Sequence, residues 1–215
     1  LDRTERRFPR EQTLATIFST ASNKNLRVAD LIEHDHAHLI DDVEDILRCQ
    51  AAYEEYKQER ALLDYDDLLI HLRDRLRQND EFRERLRTVY RYVMVDEYQD
   101  TNHLQADIVE ALCAPDGNVM AVGDDAQSIY GFRGADFRNI MEFPQRFPGA
   151  RLVTLEENYR SSQAILDVTN AVIAQASERY AKTLFTRRAG GARPQLVPAP
   201  DDRWQSLFVR QRILE

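Results

Sequence analysis

The chain has 215 residues, of which 43% are apolar and 31% charged, and its formal net charge is −8. That length supports one large domain or two small ones with a real core, and the acidic balance excludes a uniformly basic surface while leaving room for a local basic groove. Cys49 and Cys113 stand in unrelated contexts, which argues for free thiols in a reducing, cytoplasmic setting. No apolar run is long enough to cross a bilayer.

The opening LDRTERRFPR is arginine-rich but is followed by no apolar stretch of the kind a signal peptide needs, and a start at Leu1 rather than Met suggests a longer precursor. Glu33-His34-Asp35-His36-Ala37-His38 has no partner cluster elsewhere and reads as a solvated helix start rather than a metal site. Val43, Ile46, Leu47, Tyr53 and Tyr56 recur at helical spacing and predict an amphipathic helix over 36–60. Asp64 is placed to cap a second helix with a stripe of Tyr65, Leu68, Leu69, Leu72 and Leu76, and Asp80 to cap a short third one before Tyr90. The first ninety residues therefore read as mostly helical.

Beyond residue 90 the pattern changes. Strands are predicted at 91–95, 118–122 and 151–155, with helices at about 102–112 and 136–147 and turns at Pro115-Asp116-Gly117 and Pro148-Gly149. Strands alternating with helices imply an α/β class with a parallel sheet. Ser161 or Ser162 can cap a further helix to about 176. The stretch KTLFTRRAGGAR then reads as a loop or linker, before a short strand at 195–198 and a closing helix from about 202. Lys182, Arg187, Arg188 and Arg193 read as a charged loop in preference to a phosphate contact.

The apolar run Tyr92 to Val95 ends in two adjacent acids, Asp96 and Glu97. Open α/β sheets bind their ligands at the C-terminal ends of their strands, and an acid pair there can hold Mg²⁺ (Asp96) and orient or deprotonate an attacking water (Glu97). Taken alone, the dipeptide would more often be a cap for the following turn and helix than a catalytic pair. Two further strands run into similar polar segments, VGDDAQSIYGFRGAD and LEENYRSS. Aromatics interleaved with arginine, as in Tyr130, Phe132 and Arg133, suit single-stranded DNA, since bases stack on rings while a cation holds the backbone.

In this order and spacing, DEYQDTN, VGDDAQSIYGFRGA and LEENYRSS resemble motifs II, III and IV of superfamily 1 DNA helicases of the UvrD, Rep and PcrA type. The resemblance runs from LLDYDDLL at residue 62 to about 176. The preceding helices resemble that family's accessory subdomain 1B more loosely. It implies a partial RecA-like P-loop NTPase sheet preceded by a helical subdomain, with 1–62 as subdomain 1B, 63–155 as the end of domain 1A and 156–215 as the start of domain 2A. It also implies ATP and Mg²⁺ as cofactors, and single-stranded DNA and duplex junctions as partners. ATP would draw the RecA-like domains together to drive 3′→5′ translocation and unwinding. By the same resemblance Gln127 senses the γ-phosphate and Arg160 clamps it, Tyr159 stacks on adenine with Asn158 setting its position, and Tyr130, Phe132 and Arg133 meet DNA.

Two positions depart from the family pattern. Phe132 stands where Trp is usual, which keeps a smaller stacking face, and Ala126 stands where Asp is common, so no role for an acid carries over there. None of the seven glycines is followed by lysine, so the P-loop that would cradle the phosphates is absent from these residues. An internal, inactive piece of a longer helicase is the expectation, with an incomplete second sheet at its end. A RecB or AddA type helicase–nuclease subunit, or a domain that binds DNA or protein without hydrolysis, are the alternatives.

Overall fold

The computed structural model describes residues 8–113 and 117–215, except the side chain of Arg133. It divides into two compact units, Leu1–Leu152 and Val153–Glu215. The expected turn at Pro115-Asp116 lies outside the described residues.

The first unit opens with a helical layer: α1 (Glu11–Lys24), α2 (Val28–Asp35), a 3₁₀ segment (Ala37–Asp42) and α3 (Val43–Glu59). Asn25 stops α1 in the left-handed conformation, its N–H bonded to Ala21 O and Ser22 O. Ile17, Ala21, Val28, Leu31, Ile32, Leu39 and Ile46 form a closed core between these elements. The helix expected over 36–60 is thus 3₁₀ over residues 37–42, and the histidine run spans the end of α2 and the start of that 3₁₀ segment. Among the described residues no cluster is suited to a metal.

Helix α4 (Tyr65–Gln78) begins with a reciprocal capping box in which Asp64 accepts from Asp67 N and Asp67 accepts from Asp64 N. Lys57, near the end of α3, is buried and bonds to Asp64 and Asp67 at 2.9 Å each and to Glu54 at 3.1 Å. Burial alone would lower its pKa, but the three carboxylates outweigh it and hold the ammonium above the ordinary lysine value. Helix α5 (Asp80–Val89) is capped by Asn79, whose side chain accepts from Phe82 N, and not by Asp80 as expected. Asp80 instead lies in the first turn, where its charge also favours the helix dipole.

Strands β1 (Tyr92–Val95) and β2 (Asn118–Ala121) pair in parallel, Tyr92 opposite Asn118, and α6 (His103–Cys113) makes the crossover between them. Helix α6 packs on α4 and α5. Arg87 on α5 donates to Ala111 O and Leu112 O, which satisfies carbonyls in the last turn of α6. The strands alternate between half-buried Val93 and Val95 and outward-facing Tyr92 and Met94, 72% and 73% exposed.

Three expectations are corrected. The helix predicted at 136–147 is two short ones, α7 (Arg138–Met141) and α8 (Phe143–Arg146), because Pro144 can start a helix but cannot continue one. No strand forms at 151–155 or at 195–198, and the described residues contain a single sheet of two strands. A strand exists only with a ladder partner, and neither stretch has one.

In the second unit, α9 (Gln163–Ile173) has Ser162 at its N-cap position, one of the two serines expected there, although its hydroxyl makes no cap bond. The stretch 183–186 lies beside 156–158 through one isolated parallel bridge, Glu157 to Phe185, and is fastened to α9 by Asn170, which bonds both ways to Leu184. No second sheet develops among the described residues. Helix α10 (Asp202–Leu214) is capped by Asp201, which accepts from Trp204 N. No described helix is long and apolar enough to cross a membrane.

Candidate functional site

The acid pair sits at the C-terminal tip of β1. Val122 N donates to Val95 O at 2.8 Å and Tyr98 N donates to Val122 O at 2.9 Å, so both ends of a short loop are tied to one residue and Asp96 and Glu97 are displayed between them. Both acids are exposed, whereas Tyr98 and Gln99, which follow them, are fully buried. Glu97 has φ 51° and ψ 43°, a left-handed conformation that costs a non-glycine residue about 1 kcal/mol and is typical of functional turns.

Gln99 is the support that sequence reasoning missed. Its Nε2 donates to Glu97 Oε2 at 2.7 Å, and its Oε1 accepts from Asp124 N at 2.9 Å. Asp124 in turn accepts from Gln127 Nε2 at 2.8 Å, and its O accepts from Gln127 N at 2.9 Å. A continuous chain of hydrogen bonds therefore runs from Glu97 through Gln99 and Asp124 to Gln127, from the tip of β1 to the segment after β2. Gly123 makes the approach possible, because a Cβ there would lie 2.5 Å from Gln99 Oε1. The available signal was an amide one residue after an aromatic, in a segment that also holds three acids.

Asp96 Oδ1 accepts from Glu97 N at 2.9 Å, which leaves its second oxygen without a partner among the described residues. One exposed carboxylate oxygen at a strand tip is the hard donor that Mg²⁺ takes from protein, so the residue fits the ion.

After Gln127 the chain turns through a 3₁₀ segment, Gly131–Arg133, closed by Gly134 at φ 87°. The rings of Tyr130 and Phe132 lie 6.2 Å apart at 47°, and Phe132 is 75% exposed. Phe132 is therefore not packed in a core among the described residues. The Arg133 side chain lies outside the described residues. The segment that follows is fastened back to the acid-bearing one: Asp136 N and Asn139 Nδ2 donate to Thr101 O at 3.0 and 2.9 Å, and His103 Nε2 lies 3.1 Å from Asp136 Oδ2.

In the second unit, Asn158 Oδ1 accepts from Arg160 N at 2.9 Å and Ser161 N at 2.7 Å, an Asx turn that presents Tyr159, 77% exposed, and Arg160. Arg188 Nη1 donates to Arg160 O at 2.5 Å, and Arg187 pairs with Glu157 at 3.2 Å. The basic loop thus backs the Tyr159–Arg160 turn. A cavity of about 350 Å³ lies at the opposite end of β1 and β2, lined by Glu84, Arg87, Tyr92 and Asn118 among others.

Comparison with known proteins places the chain in a family. The family of the UvrD/REP helicase N-terminal domain matches residues 1–148. An ATP-dependent DNA helicase PcrA of Staphylococcus epidermidis is 38% identical over 163 residues, which is 76% of this chain and 22% of that protein. A probable DNA helicase II homolog of Rickettsia conorii is 37% identical over 164 residues, 75% of this chain and 25% of that protein. A DNA helicase II of Rickettsia typhi is 38% identical over 160 residues, 73% and 24% respectively. The chain spans about a quarter of the length of the curated relatives it matches. With the family match covering the helical layer, the strand-tip acids and the aromatic turn together, the chain belongs to the UvrD/REP helicase N-terminal domain family, of the UvrD/PcrA type within superfamily 1.

Proposed function

We propose that this chain is part of an ATP-dependent DNA helicase, and that its share of the work is to place a water-activating acid, a γ-phosphate sensor and a DNA-stacking turn on one RecA-like support. The observation that carries this reading is the hydrogen-bonded relay from Glu97 through Gln99 and Asp124 to Gln127.

In this reading Glu97 takes or orients the proton of the attacking water, and Gln99 fixes the carboxylate by donating to Oε2. Gln127 reports the state of the γ-phosphate to Glu97 through Asp124. Asp96 holds Mg²⁺, which when bound neutralises charge on the phosphates. Arg160 supplies a planar cation to the transferring phosphoryl group, and Tyr159 offers an exposed ring to the adenine base. Tyr130 and Phe132, with Arg133 beside them, stack on successive bases at about 1–3 kcal/mol each. Residues 1–62 act as accessory subdomain 1B, 63–155 as the end of domain 1A and 156–215 as the start of domain 2A. The phosphate cradle is supplied by residues outside this chain, so the 215 residues alone do not turn over ATP. The 3′→5′ polarity implied by the family resemblance, and a role in DNA repair or replication, complete the proposal.

The test uses the complete gene product that carries this chain. Glu97→Gln is expected to lower DNA-stimulated ATP turnover by about 100-fold or more while ATP binding persists. Undiminished turnover would remove Glu97 from the chemistry.

A further inference from the structure

The relay joins the two strand tips but does not reach the aromatic turn, so it leaves open how DNA bound there changes the chemistry. One side chain outside the sheet touches the supports of both. Asn23, half-buried in the last turn of α1, uses both ends of its amide. Its Nδ2 donates to Ser19 O at 2.9 Å and to Asp66 Oδ1, at the start of α4, at 3.0 Å. Its Oδ1 accepts from Asn102 Nδ2 at 2.6 Å.

Asn102 closes the segment that carries the acids. Its own oxygen accepts from Gln105 N at 2.8 Å while its N–H donates to Gln105 Oε1 at 3.0 Å, so the start of α6 occupies that oxygen and leaves Nδ2 for Asn23. On the other side, a Cβ at Gly134 would stand 2.9 Å from Asn23 Cβ. The turn that carries Phe132 therefore closes directly against Asn23, and only glycine allows it. The bond to the Asp66 carboxylate is charge-assisted, which makes α4 the fixed point. A short side chain with a donor and an acceptor on one planar head is what this junction needs.

From this juxtaposition we infer that Asn23 is a positioning residue that couples the aromatic turn to the strand-tip acids. A shift of Gly131–Gly134 as a base stacks on Phe132 presses on Asn23. Because its amide is held at both ends, the shift is passed to Asn102 and so to the segment 96–102. The inference rests on the proposed function.

The test measures ATP turnover of the complete gene product with and without single-stranded oligothymidylate, together with thermal unfolding. Asn23→Ala should keep DNA-free turnover and the KM for ATP within about twofold, and lower the DNA-stimulated kcat by about fivefold or more. Asn102→Asp, which removes the donor to Asn23 but keeps the oxygen facing Gln105, should uncouple in the same way, and covers the case in which Asn23→Ala does not fold. The exchanged pair Asn23→Asp with Asp66→Asn keeps a donor facing an acceptor between α1 and α4 and an acceptor facing Asn102, gives up only the bond to Ser19 O, and should restore part of the stimulation lost in Asn23→Ala. Stimulation equal to the parent's in Asn23→Ala, or an equal fall with and without DNA in both single variants, would overturn the inference. If the parent itself shows no DNA-stimulated turnover, the proposed function falls first and the inference with it.

Discussion

The helical layer and the two-stranded sheet of the first unit solve burial differently. Helices α1–α3 enclose their own core, with Ile17, Ile32 and Ile46 fully buried among one another. The sheet, by contrast, has an outward face in which Tyr92, Met94 and Met120 remain exposed, although parallel strands ordinarily have both faces covered. The helical layer packs around a core of its own. The sheet is organised chiefly at its tips, where hydrogen bonds from buried Gln99 and Asn139 shape the site.

That contrast can be broken by mutation, region by region. Ile46→Ala should open a cavity in the helical core and cost about 2–5 kcal/mol, read as loss of amide-exchange protection across α1–α3. A variant with unchanged protection would show that the core is not closed.

Lys57→Met comes next, at about 1–3 kcal/mol. It leaves Asp64, Asp67 and Glu54 facing one another, and the figure is reduced because Asp64 and Glu54 are partly in solvent. Its pH dependence has a defined sign. Burial alone would raise the Asp64 pKa, but bonds from Asp67 N, Lys57 and Tyr53 outweigh it and hold the carboxyl below its ordinary value. Its stabilising contribution is therefore full above the ordinary carboxylate pKa and is lost as pH falls through the lowered folded value. For Lys57, whose folded pKa is raised, the contribution is full below the ordinary lysine pKa and is lost as pH rises through the folded value. Lys57→Met should flatten the acid limb of stability against pH. An acid limb identical to the parent's would separate Asp64 from Lys57.

Met94→Ala should have the smallest effect, below about 0.5 kcal/mol in this chain by the same exchange measurement, because its side chain is exposed. A cost comparable to Ile46→Ala would mean that the outward sheet face is covered in solution.

The sequence disclosed elements whose signals are local. Strands 92–95 and 118–121, the cap at Asp64 and the amphipathic α4 all follow from periodicity and short-range side-chain chemistry. The stretch RLVTL carries the same strand signal yet forms none, since pairing depends on a partner that composition does not reveal. Lys57 on a helix face reads as solvated, and its burial becomes apparent only once Asp64 and Asp67 fold back on it. Within the candidate site, Asp96 and Glu97 were singled out from their place after a strand, and Gln127 by the resemblance of its segment to a family motif. Gln99 and Asn23 were not, because each works through contacts with segments distant in the chain, 25 residues to Asp124 and 79 to Asn102.

The central claim is that Glu97 and Gln127 act as one unit through Gln99. A double-mutant cycle on DNA-stimulated kcat tests it most directly, with Glu97→Gln, Gln127→Leu and the two combined in the complete gene product. The account predicts that the combined variant loses little more than Glu97→Gln alone, since the second substitution acts on a relay already cut. Losses that multiply would show two independent residues and contradict it.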